Sequence, residues 1–74
     1  MRGRITVTAW WDPEARVWVA ESADVPGLVA EADTLDALAS ELELLIPELL
    51  ELNHVELRRS TIDLVATRSL QFAG

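Results

Sequence analysis

Leucines at positions 35, 38, 42, 45, 49 and 52 recur with a strict 3-4-3-4-3 spacing. That spacing follows one face of an α-helix, so it predicts a helix over 35–52 with an apolar stripe and a polar back. Ala39, Ile46 and Leu50 widen the stripe, while Asp36, Glu41, Glu43, Glu48 and Glu51 fall largely outside it. Thr34 is the expected N-cap, with Asp33 a weaker alternative, and Asp36 lies in the first turn, where the peptide dipoles favour negative charge. Pro47 cannot donate to the carbonyl four residues earlier and should kink the helix or divide it into 35–46 and 47–52. Asn53 is the expected left-handed stop, with Arg58 and Arg59 following the negative end of the dipole. At about two and a half heptads, broken by Pro47, the stripe is too short for a coiled coil and is expected to pack on a sheet.

The sheet is read from alternation. From Arg4 to Trp11, Ile5, Val7, Ala9 and Trp11 share one face, and Thr6, Thr8 and Trp10 the other. Asp12-Pro13-Glu14-Ala15-Arg16 carries turn chemistry, and Val17 to Ser22 is the returning strand. Pairing Trp11 with Val17 sets Trp10 opposite Trp18 and Thr8 opposite Ala20. In that register Ile5, Val7, Ala9, Val17 and Val19 form the core side, and two indoles lie together on the other. Ala23 to Gly27 is a loop in which Gly27 is free to take a positive φ. Leu28 to Ala32 is a short third strand, and Ile62 to Arg68 a fourth, with Ile62, Leu64 and Ala66 on one face. The order is β-β-β-α-β, an α+β fold. The last strand should return by a right-handed connection, parallel to the first, giving a sheet of order 3-2-1-4 with one helix on one face.

Composition limits what such a fold can do. A chain of 74 residues makes one small domain, here residues 1–74. It has no cysteine, which excludes a zinc ribbon or a disulfide scaffold. Its apolar runs are too short to span a membrane, and Met1 to Arg4 leads straight into a strand, so no signal peptide is expected and the cytoplasm is the default location. The net charge is −7, concentrated in residues 12–57. An acidic body repels phosphate backbones and steers basic partners towards itself, so no direct binding of DNA or RNA is expected. Below about 80 residues one core supplies only roughly 3–5 kcal/mol, which favours burial of further surface against another protein or a second copy.

No constellation points to catalysis. His54 is the only histidine and lacks a nucleophile or second ligand beside it in sequence. A two-metal nuclease needs convergent carboxylates, but the open face of the first strand offers Thr6, Thr8 and Trp10, and Asp63 alone could not hold two metals. No catalytic residue, cofactor or metal is therefore assigned. The candidate binding surface is Trp10 and Trp18 as aromatic anchors, with Asp12, Glu14 and Asp24 as an acidic rim.

Trp11-Asp12-Pro13-Glu14-Ala15, Val17-Trp18-Val19-Ala20, Ser22, Asp24-Val25-Pro26-Gly27-Leu28 and Glu31-Ala32-Asp33-Thr34 resemble the signature run of HicB-like antitoxins, in particular a short branch labelled as a domain of unknown function. The resemblance implies a partial ribonuclease H-like fold without catalytic residues. It implies self-association and neutralisation of a small basic HicA-like toxin, an RNA-cleaving protein of double-stranded-RNA-binding fold. Many such proteins carry a C-terminal ribbon-helix-helix or helix-turn-helix module. Few residues follow the fourth strand here, so no DNA-binding module is expected. The function expected is thus a non-enzymatic, antitoxin-like protein-binding module, the alternative being a stand-alone homodimeric interaction protein.

Overall fold

The computed structural model describes residues 3–54 and 60–73. Its elements are β1 (Gly3–Asp12), β2 (Val17–Glu21), β3 (Val29–Ala32), α1 (Leu35–Leu52) and β4 (Ser60–Thr67). They form one mixed sheet of order β3-β2-β1-β4, in which β1 pairs antiparallel with β2 and parallel with β4. The predicted topology and strand order are those observed. No helix among the described residues is long and apolar enough to cross a membrane.

The first hairpin departs from the expected register. Trp11 pairs with Trp18 and Asp12 with Val17, so Trp10 faces Val19 and Ala9 faces Ala20. The cause lies in the turn. Arg16 adopts φ 60°, and its N–H closes on the Asp12 carbonyl at 2.7 Å, so the ladder resumes one residue earlier than proline-turn chemistry suggested. The Asp12 carboxylate accepts from the N–H groups of Glu14 and Ala15, at 3.0 and 3.2 Å, and fixes this shape. A slip of one residue turns every side chain of a strand over. Trp18 and Ala20 therefore point to the helix, and Val17 and Val19 to the open side.

The core lies between the sheet and α1. Ile5, Val7 and Ala9 from β1, Ala20 from β2 and Ala30 from β3 meet Leu38, Leu42, Ile46 and Leu50 from the helix. These helix positions form a single i, i+4 row. Leu35, Leu45 and Leu49 flank it half-buried, and Leu52 is exposed. Thr34 caps the helix through its hydroxyl, which accepts from Ala37 N–H at 3.0 Å. Pro47 does not divide the helix, which is continuous over Leu35–Leu52. Its missing donor orphans the carbonyl of Glu43, an exposed residue whose backbone water can serve, while buried Ile46 and Leu50 hold the turns on either side to the sheet. The left-handed residue at the end is His54, φ 58°, rather than Asn53, which keeps φ −91° and donates its side-chain N–H to the Leu49 carbonyl at 2.8 Å. The expectation for Arg58 and Arg59 lies outside the described residues.

Candidate protein-binding surface

The loop after β2 shows how the motif residues work. β2 ends at Glu21, opposite Thr8, which leaves the backbone of Thr6 without a strand partner on that side. Side chains take over the ladder. The Ser22 hydroxyl donates to the Thr6 carbonyl at 2.6 Å, and the Asp24 carboxylate accepts from Thr6 N–H at 2.9 Å. Ser22 Oγ also accepts from Asp24 N–H at 3.1 Å, closing the loop on itself. The clasp turns Val25 and Leu28 inward, where both are buried, and Gly27 takes φ 83° between them. Ser22, Asp24 and Gly27 are thus held by folding geometry, and the Asp24 carboxylate is engaged with backbone.

Of the five candidate residues, the structure brings the two indoles to opposite faces. Trp10 lies on the face away from α1, 37% exposed. Trp18 packs against the core on the helix side, where it meets Trp11 edge-on, with ring centroids 5.6 Å apart and an interplanar angle of 64°. The Arg68 guanidinium stacks over the Trp11 ring at 4.6 Å, a cation–π contact that sequence spacing gave no reason to expect. The expected Trp10–Trp18 pair is therefore replaced by a Trp11–Trp18 pair. Asp12 organises the turn, Asp24 the clasp, and Glu14 stands exposed at the hairpin tip. The five do not form one patch.

What the fold exposes instead is the open face of the sheet. Strand alternation places Thr6, Thr8 and Trp10 of β1 in its middle, beside Val65 and Thr67 of β4 and Val19 of β2. Val65 is 52% and Val29 of β3 72% exposed on this same face. Glu21 and Glu31 add negative charge at the β2–β3 side, while Asp63 is occupied by Arg4 at 2.9 Å. Val29 and Val65 were missed as surface anchors, although each has the opposite parity to the core residues of its strand, a signal the sequence contains. An open depression lined by Trp10, Trp11, Pro13, Thr67, Ser69 and Gln71 continues this surface to the hairpin end. Among the described residues no group of three or more histidine or acidic side chains is placed to hold a metal ion.

A solved structure of the same shape exists. The crystal structure of hypothetical protein TTHA1013, from the extremely thermophilic bacterium Thermus thermophilus, superposes with a TM-score of 0.83 at 53% sequence identity, covering 93% of this chain and 99% of that one. No protein with a curated description matches the chain. A family model described as a domain of unknown function, DUF1902, matches residues 4–73. The match takes in all four strands, the helix and the Ser22–Gly27 clasp, and the chain belongs to that family.

Proposed function

We propose that this chain is a non-enzymatic protein-binding module of the antitoxin kind, which occludes the RNA-binding surface of a small basic toxin. One observation carries the reading: a sheet with its only described helix on one side leaves Trp10, Val29 and Val65 exposed on the other. An exposed indole among valines, bordered by carboxylates, has the make-up of a protein interface rather than of a solvated sheet. The charge of −7 suits a cationic partner and opposes a nucleic acid. The resemblance of the Trp11–Thr34 run to HicB-like antitoxins supports the same class of partner.

The test is co-expression with the protein encoded by the adjacent gene, followed by titration. A basic neighbour should co-purify, and Trp10→Ala should weaken its binding by about 30-fold or more, the equivalent of roughly 2 kcal/mol. Unchanged affinity in Trp10→Ala would remove the open face from the mechanism. Self-association without a toxin is the second reading. Leu70 and Phe72, 79% and 94% exposed, favour it.

A further inference from the structure

We propose that two copies of this chain join edge to edge through β4 and the segment that follows it, each copy laying residues 68–73 along the β4 strand of the other. The proposal deepens the self-association reading by naming its surface, and it leaves the open face free for another partner.

The edges of the sheet differ. β3 is four residues long and follows a Pro-Gly loop, a blunt edge of the kind that resists pairing. β4 is eight residues long, contains no proline, and pairs on one side only among the described residues. The chain then continues in the same direction. Arg68 falls on the helix side over Trp11, while Ser69 and Gln71 line the depression at the hairpin end with Trp10, Trp11, Pro13 and Thr67. Residues 68–73 lie beyond the end of β4 at Thr67 and carry no strand partner among the described residues. Leu70 and Phe72 share the parity of Arg68 and are exposed, so that an extended continuation of β4 would set them on the helix side.

The helix side of β4 holds the matching recess. α1 lies over β2 and β3, so Ile62 and Leu64 are only half-buried and line an apolar depression with Ala39, Leu42 and Glu43. An antiparallel two-fold pairing centred on Thr67 sets Leu70 of the second copy against Leu64, and Phe72 against Ile62. Side-chain parity is kept throughout. These four side chains, doubled by symmetry, remove on the order of 1,000 Å² from water, which reaches the size of a specific interface. Charge permits contact here and penalises it elsewhere: residues 60–73 hold one aspartate and one arginine, whereas the chain as a whole carries −7.

The absence of cysteine makes the test direct. Opposed residues at a two-fold axis of an antiparallel pair have Cα atoms about 4.5–5.5 Å apart, within disulfide range. Thr67→Cys should form a covalent dimer under mild oxidation, and Val29→Cys should not. In sedimentation equilibrium the unmodified chain should dimerise, and the Leu70→Ser, Phe72→Ser double variant should raise the dissociation constant by about 100-fold or more. Both replaced residues are exposed, so the variant keeps its fold, which circular dichroism checks. An unmodified chain that sediments as a monomer overturns self-association altogether. A dimer that survives the double variant and does not cross-link at Thr67→Cys overturns this surface alone.

Discussion

The two faces of the sheet are built from the same strands and obey different rules. On the helix side Ile5, Val7, Ala9 and Ala20 are fully buried, and each is chosen for how it fits beneath Leu38, Leu42, Ile46 and Leu50. On the open side the neighbouring positions are Thr6, Thr8, Trp10 and Val19, β-formers that satisfy the pleat without a second layer. Alternation therefore assigns one set of residues to the core and leaves the interleaved set on the surface proposed above for contact with other molecules. A substitution one residue along the chain changes which property it affects.

The largest effect expected is on the helix side. Leu38→Ala or Leu42→Ala should each cost about 2–5 kcal/mol, a large share of the stability of so small a domain. Urea denaturation measures it, and a loss below about 0.5 kcal/mol at both positions would contradict the helix-on-sheet core. Next comes the clasp that aligns the faces. Asp24→Ala removes the acceptor for Thr6 N–H and a charge-assisted bond, for an expected cost of about 1–3 kcal/mol. Asp24→Asn, which keeps an acceptor, should lie nearer the native value in the same melts.

Trp10→Ala should then change stability by less than about 1 kcal/mol while abolishing most partner affinity. A melt shifted as far as that of Leu38→Ala would make Trp10 a core residue and collapse the distinction between faces. The smallest effect belongs to the Arg4–Asp63 pair, whose side chains are 70% and 38% exposed. Arg4→Ala should cost at most about 1 kcal/mol, and less as salt is raised. Asp63→Asn also probes chemistry. The unmodified chain with magnesium or manganese should leave single-stranded RNA, duplex RNA and RNA–DNA hybrids intact, and cleavage that vanishes in Asp63→Asn would show a nuclease.

Much of this division was legible in the residues. The parity of Ile5, Val7 and Ala9 marked the buried side of β1, and the leucine spacing marked the helix that covers it. The right-handed return of a fourth strand fixed the sheet order. The face assignment of β2 was not legible, because it depended on one backbone angle at Arg16. Arginine seldom adopts φ near +60°, and a glycine there would have announced the shorter turn. The candidate site inherited that error, since Trp18 changes faces with its strand. The Asp12 and Asp24 carboxylates looked like rim charges because sequence does not say which acids are already bonded to backbone. The uninterrupted course of α1 through Pro47 depended on the exposure of Glu43, which tertiary packing decides.

The pairing of β1 with β4 bears on how the chain comes to be folded. Arg4 and Asp63 stand side by side although 59 residues separate them in sequence. Contacts between residues so far apart in sequence raise the contact order, and the parallel β1–β4 ladder gives no reward until the chain has closed back on itself. During synthesis at about 5–20 residues per second, β1 waits roughly 3–12 s for its second neighbour. Through that interval the β1–β2–β3 meander and α1 have to bury Ile5 and Val7 with one flank of β1 unsealed. A nascent chain arrested before β4 emerges therefore presents an adhesive strand, and prompt completion of the last strand protects the protein from aggregation.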